Sequence, residues 1–154
     1  HTTYPVLTFY RSPQPDRHWV TAAGTVLDGA ALTLSTLDVE GQPQAALQIR
    51  AGFIALRRIS DFYGIAYDSD PQPGDPIAIS RAEYDAVVDR LAEVGLPVKE
   101  DRDQAWLDFS GWRVNYDTPL LSLAELTVAP YAPWTSDRSA LGHEELRVRR
   151  WGRR

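Results

Sequence analysis

Two stretches decide the fold: residues 16–38, DRHWVTAAGTVLDGAALTLSTLD, and residues 43–63, PQAALQIRAGFIALRRISDFY. In each of them apolar residues recur three or four positions apart, which is the spacing of one face of an α-helix. Asp16 stands where an N-cap is favoured, and Pro43 stands at a favoured first-turn position. The link 39–42 has a usual length for a connection in a helical bundle. The sequence therefore predicts an antiparallel helix hairpin, about 16–38 and 43–63, at the core of the fold.

Three further helices are predicted downstream of this hairpin. Ser80 and Glu83 form a capping box before an apolar stripe that continues to Gly95. Residues 100–117 begin with acidic side chains, which suit a helix N-terminus, and are rich in aromatic residues. A last helix restarts at Pro119. Because helical spacing recurs with no sustained alternation, the chain is predicted to be all-α, a single-domain bundle of about five helices.

Charge is distributed unevenly along the 154 residues, whose net charge is −5. Residues 137–154 contain six arginines and three acidic residues, so the remaining residues carry a net charge of −8. We interpret 1–136 as a helical domain, for which the resemblance given below implies a cytosolic location, and 137–154 as a basic C-terminal tail. Nucleic acid is not an expected partner of the acidic body, because contacts to phosphates need a basic face.

The charged residues of the hairpin form the first candidate site. Asp28 lies on or near the apolar stripe of the first helix, while Arg50 and Arg57 stand seven residues apart on one face of the second. An antiparallel hairpin would bring these charges together. The network Asp28, Arg50 and Arg57 is either a polar site inside the bundle or, as we expect, a buried ion pair that fixes the helix register.

The tail is the second candidate site, because it combines arginines with a tryptophan. Its residues would suit nucleotide bases or anionic lipid headgroups, and the alternative is a solvated chain end. The residues concerned are Arg147, Arg149, Arg150, Trp151, Arg153 and Arg154.

Little in the sequence points to catalysis, a cofactor or a metal. The chain has no cysteine, three histidines and one lysine, and it lacks phosphate-cradling, dinucleotide and nucleophile-elbow motifs. The acids Glu100, Asp101 and Asp103 lack the pattern of a calcium loop and are interpreted as a solvated helix start. An exported copper enzyme that uses His1 as a ligand is a further alternative, although no second histidine stands at a ligand spacing. We expect no enzyme, no cofactor and no metal.

Several short stretches carry a family resemblance that covers roughly residues 1–138. They are HTTYPVL (1–7), FYRS (9–12), WVTAA (19–23), VLD (26–28), AAL (45–47), ALRR (55–58), WRVNYD (112–117) and APW (132–134). In these stretches the chain resembles the soluble C-terminal domain of bacterial potassium-channel-like membrane proteins. The resemblance places Asp28, Arg50 and Arg57 among the family's signature positions.

The resemblance implies a function and a location. In that family a pore unit of membrane helices comes first and a helical cytosolic domain follows. The chain is therefore expected to be a non-catalytic accessory domain at the cytoplasmic face of the bacterial inner membrane, contributing to assembly or gating of an ion channel. The implied partners are a membrane-embedded pore segment of the same polypeptide and further copies in a homo-oligomer, with anionic lipid as a contact of the tail. The absence of methionine fits an N-terminus that was cleaved or truncated.

A different class of function is left open by the residues themselves. A stand-alone helical module could bind a protein or an anionic partner through the basic tail. The upstream reading frame separates the two hypotheses, because a pore domain contains membrane helices that flank a selectivity filter.

Overall fold

The computed structural model describes residues 5–9 and 12–141, and in this part of the chain all regular elements are helical. A 3-10 helix, Pro5–Phe9, comes before five α-helices. These are α1 (Trp19–Thr36), α2 (Pro43–Phe62), α3 (Arg81–Glu93), α4 (Arg102–Arg113) and α5 (Asp117–Leu126). The predicted all-α bundle of about five helices is confirmed. None of the described helices is both long and apolar enough to cross a bilayer.

Helix α1 has the most helix partners in the described bundle, since it contacts α2, α4 and α5. It begins at Trp19, three residues later than expected, because its N-cap is His18 and not Asp16. The His18 Nδ1 accepts a hydrogen bond from Val20 N, whereas the Asp16 side chain is exposed. The capping interaction that defines the helix start is therefore made by an imidazole, which is not among the usual capping groups.

The end of α1 is fixed by the segment between α3 and α4. Leu37 is extended and forms an isolated antiparallel bridge with Val98. The Lys99 amide donates to the Thr36 carbonyl at 2.9 Å, and the Asp38 amide donates to the Pro97 carbonyl at 2.8 Å. These bonds satisfy backbone groups that a helix terminus leaves open.

Helices α1 and α2 approach closely where a glycine meets a leucine. A Cβ atom added at Gly52 would lie 2.3 Å from Leu27 Cδ2, so only glycine leaves room for this leucine. A contact between these two positions is what the predicted hairpin connection would produce. The antiparallel direction of the pair stays a prediction.

Three helices end in the same backbone motif, but only two of them use glycine. In this motif a residue with positive φ follows the helix, and the amide of that residue and the amide of the next residue bond back to the last turn of the helix. Gly64 after α2 has φ 65°, and Gly95 after α3 has φ 85°. Val128 after α5 has φ 49°, although it is β-branched. Its amide bonds to the Glu125 carbonyl and the Ala129 amide to the Ala124 carbonyl, so the motif is complete despite its strain.

The core draws apolar side chains from all five helices and from the segment after α5. Tyr84, Phe109 and Trp134 are in ring contact there, with centroids 5.1 Å apart for the first two and 5.6 Å for the last two. The predicted stripes are correct at most positions. Val26 on α1 and Leu126, the last residue of α5, are exposed.

Candidate functional site

A fully buried arginine, Arg113, is the centre of the most polar part of the core. Its Nε donates to Asp117 Oδ1 at 2.7 Å, and its Nη1 donates to Asp28 Oδ1 at 2.6 Å. Its Nη2 donates to the carbonyl oxygen of Trp134 at 2.6 Å. The Tyr116 hydroxyl donates to the same Asp28 oxygen at 2.8 Å. We refer to Asp28, Arg113, Tyr116, Asp117 and Trp134 as the Arg113 cluster.

Separate parts of the chain supply the members of this cluster. Asp28 lies in the middle of α1, on its buried face. Arg113 is the last residue of α4 and Asp117 is the first of α5, so a spacing of four places them side by side where the two helices meet. Trp134 belongs to the segment after α5 and has φ 62°, a left-handed conformation that is uncommon for a residue with a side chain.

The electrostatics of the cluster favour a charged arginine and a protonated tyrosine. Burial raises the pKa of the Asp28 carboxyl, and the Arg113 guanidinium opposes that shift. Burial by itself would lower the pKa of Arg113, but the carboxylates of Asp28 and Asp117 raise it above its usual value. Burial, followed by the charge of Asp28, raises the pKa of Tyr116 well above its usual value. Arg113 and Tyr116 therefore both act as donors to Asp28 at neutral pH.

The partner of Asp28 is Arg113, and not Arg50 or Arg57 as expected. Arg50 is exposed, because the buried face of α2 runs through Ala45, Ile49, Leu56 and Ser60. Arg57 donates from Nε and Nη2 to the Asn115 carbonyl at 3.2 and 3.0 Å, and its guanidinium lies 4.6 Å from the centre of the Phe53 ring. The expected network of Asp28 with the two α2 arginines is thus replaced by one between α1, α4 and α5.

The sequence contained one sign of this arrangement. Arg113 and Asp117 have the spacing of four at which opposite charges pair on a helix. Such pairs are usually exposed, and no local pattern indicates that this one is buried. Arg113 is therefore a residue that the sequence analysis missed.

A second arginine cluster lies at the surface, beside the start of α3. The Arg138 Nη2 donates to Glu83 Oε1 at 2.7 Å, and its Nε donates to Asp137 Oδ1 at 2.9 Å. The pKa of Glu83 is lowered to about 2, chiefly by the hydrogen bonds from Arg138 and next by the hydrogen bond from the backbone N–H of Ser80. Glu83 also completes the capping box with Ser80, which confirms the predicted helix start. The first residues of the predicted tail thus contact the bundle, and the boundary at 136 stays a prediction.

One backbone residue connects the two arginine clusters. The Ala78 amide donates to Asp117 Oδ2 at 3.0 Å, and the Ala78 carbonyl accepts from Arg138 Nη1 at 2.6 Å. The Arg113 cluster in the core and the Arg138 cluster at the surface are therefore linked through hydrogen bonds of a single peptide segment.

Clefts open on the surface of the described bundle. One, of about 700 Å³, is lined by the 3-10 helix, the start of α1 and Tyr131. A smaller one, of about 300 Å³, lies between residues 67–76 and the start of α5, and Asp117 is at its edge. Among residues 5–9 and 12–141, the structure has no group of three or more histidine, aspartate or glutamate side chains placed to hold a metal ion.

Several predicted site residues lie outside the described part of the chain. These are His1, the proposed copper ligand, and the tail residues Arg147, Arg149, Arg150, Trp151, Arg153 and Arg154. Searches of protein-family profiles, curated proteins and solved structures returned no match to this chain.

Proposed function

We propose that this chain is a non-catalytic accessory domain of a bacterial potassium-channel-like ion transport protein. In this proposal the domain lies at the cytoplasmic face of the membrane and contributes to assembly or gating. The pore is formed by membrane-embedded segments of the same polypeptide, and the complete protein is a homo-oligomer.

The proposal is supported by the positions of three resembling stretches, which lie next to one another in the structure. Every member of the Arg113 cluster lies in one of them. VLD contains Asp28, WRVNYD contains Arg113, Tyr116 and Asp117, and APW contains Trp134. Three of the eight resembling stretches therefore supply the residues that hold α1, α4 and α5 together, and this supports the proposal.

The geometry of the cluster suits a structural task. The guanidinium of Arg113 donates to acceptors from three parts of the chain and is closed to solvent. Bonds of this kind, between a buried charge and fixed partners, tie the helices into one rigid unit. A rigid unit is what an accessory domain needs if it is to hold pore subunits together or transmit a movement to them.

The test uses the complete open reading frame that contains this chain. Its product is purified, reconstituted into liposomes and assayed for potassium efflux. We expect membrane helices upstream of His1 and a potassium flux that depends on them. A variant that stops before His1 should keep the pore but lose its native oligomeric state or show an altered flux.

Two results would refute the proposal. The first is a reading frame without membrane helices, and the second is a reconstituted protein that passes no potassium. In either case the stand-alone module that binds an anionic partner through the basic tail becomes the better hypothesis. Binding of the purified chain to RNA would then be compared with that of a variant in which Arg147, Arg149, Arg150, Arg153 and Arg154 are replaced by glutamine.

A further inference from the structure

One face of α2 exposes large apolar side chains along most of the helix. Leu47 is 63% exposed and Ile54 is 46% exposed, and Phe62 lies further along the same side. With Ala51 and Arg58, these residues follow one another at spacings of three and four, so they share one helix face. We refer to Leu47, Ala51, Ile54, Arg58 and Phe62 as the α2 stripe.

The α2 stripe is opposite the face that packs on the core. The buried residues of α2 are Ala45, Ile49, Leu56 and Ser60. They lie about half a turn around the helix from the stripe. The stripe extends over 15 residue steps, roughly 22 Å at 1.5 Å per residue. An apolar surface of this length on an exposed helix is unusual unless something covers it.

The distribution of charged residues indicates which kind of partner the α2 stripe binds. Residues 43–62 contain three arginines, Arg50, Arg57 and Arg58, and one acid, Asp61. Residues 63–136 contain thirteen acids and five basic residues. The α2 surface is therefore basic on a protein whose other helices are mostly acidic. A second copy of the chain would place arginines against arginines if the two stripes met.

We infer that the α2 stripe docks on the surface of an anionic lipid bilayer. Apolar side chains flanked by arginines are the pattern of helices that lie in the membrane interface, where the apolar groups enter the acyl boundary and the guanidinium groups remain among the headgroups. The acidic surface of the remaining helices is repelled by the same lipids, so the bilayer also orients the domain. The inference rests on α2 alone and does not require the proposed function.

The test measures binding of the complete chain to vesicles. Large unilamellar vesicles of phosphatidylglycerol and phosphatidylcholine in equal amounts are compared with vesicles of phosphatidylcholine alone. The double variant Leu47→Gln/Ile54→Gln should lose at least about tenfold in affinity for the anionic vesicles. The double variant Arg50→Gln/Arg58→Gln should lose about 30-fold, following the usual contribution of two arginines near such a surface.

The matched control substitutions lie on other helices. Leu107→Gln removes a leucine that is 54% exposed on α4, and Arg90→Gln removes an exposed arginine of α3, so both variants should bind like the wild type. Because the chain contains no cysteine, Leu47→Cys also accepts a single environment-sensitive dye. Its emission should shift to the blue with anionic vesicles, whereas the same dye at Leu107→Cys should stay in water.

Three results would overturn the inference. One is a wild type that does not bind the anionic vesicles. Another is a Leu47→Gln/Ile54→Gln variant that binds as tightly as the wild type, which would assign all binding to the tail. The third is a dimer of twice 17.3 kDa in vesicle-free solution that this double variant dissociates, because the stripe would then belong to a second copy. None of these measurements involves ion flux, so a result that refutes this inference does not refute the proposed function.

Discussion

Replacing Arg113 by methionine should destabilise the bundle by about 3–5 kcal/mol at pH 7, the usual cost of removing one partner from a buried ion pair. The substitution preserves much of the side-chain volume but removes three short hydrogen bonds, of 2.6, 2.7 and 2.6 Å. It leaves two carboxylates behind. Asp28 keeps the Tyr116 hydroxyl, and Asp117 keeps the Ala78 amide, so neither is left without a donor.

The cost of this substitution should depend on pH in a definite direction. Without the guanidinium, the folded-state pKa of Asp28 rises further above its ordinary value of 3.8. A carboxyl with a raised folded-state pKa contributes stability that is fully present below the unfolded-state pKa and is lost as the pH rises through the folded-state pKa. The deficit of Arg113→Met should therefore be largest at pH 7 and smaller towards pH 4. Asp28→Ala should show no such recovery, because Arg113, which loses one of its carboxylate partners in this variant, cannot lose its proton.

Urea unfolding followed by tryptophan fluorescence measures these differences. Arg102→Met is the matched control, since Arg102 pairs with Asp89 at the surface with both side chains partly exposed, and it should cost below about 1 kcal/mol. If Arg113→Met is too unstable to measure, Tyr116→Phe removes only the hydroxyl and should cost about 1–2 kcal/mol. A cost of Arg113→Met close to that of the control, or one that does not change with pH, would refute the reasoning.

Three further predictions concern other parts of the fold. Val128→Gly should raise the free energy of unfolding by roughly 0.5–1 kcal/mol, because glycine adopts the positive φ without strain; an unchanged melting temperature would contradict this. Gly52→Ala should destabilise the fold by about 1–3 kcal/mol, because the added Cβ would overlap Leu27. Gly29→Ala should stabilise it by up to about 1 kcal/mol in the same thermal assay, because nothing lies within 4 Å of a Cβ added there. The wild type should lose up to about 1 kcal/mol of stability as the pH falls from 4.5 through the Glu83 pKa of about 2, because a carboxyl with a lowered folded-state pKa stabilises the fold only while it is ionised. The partial exposure of Glu83 limits the effect. In acid titrations of stability Arg138→Gln should reduce this loss without removing it, because the Ser80 backbone N–H also lowers the Glu83 pKa; an unchanged loss would contradict the prediction.

The sequence predicts those features of this fold that depend on neighbouring residues. The capping box of Ser80 and Glu83 and the first-turn proline Pro43 are both confirmed, because each acts through its own backbone conformation or through residues within one turn.

The candidate site depends on contacts that are distant in sequence and was therefore predicted only in part. The position of Asp28 on the α1 stripe indicated a buried charge, and the structure buries it. The two arginines of α2, the next helix along the chain, were the expected partners, but the choice between them and Arg113 depends on how α4 packs on α1. Periodicity says nothing about that packing. The conformation of Val128 was missed because its side chain gives no sign of a left-handed turn.

The wide spacing of the Arg113 cluster has a consequence for how the protein is made. Asp28 and Arg113 are 85 residues apart in the chain. At a synthesis rate of 5–20 residues per second, the ribosome takes roughly 4–17 s to reach the arginine after it has added the aspartate. By the end of that interval α1 and α2 have been synthesised, but the Asp28 carboxylate still lacks the guanidinium that it binds in the folded protein. Burial of this carboxylate as an ion pair therefore waits for the last third of the chain.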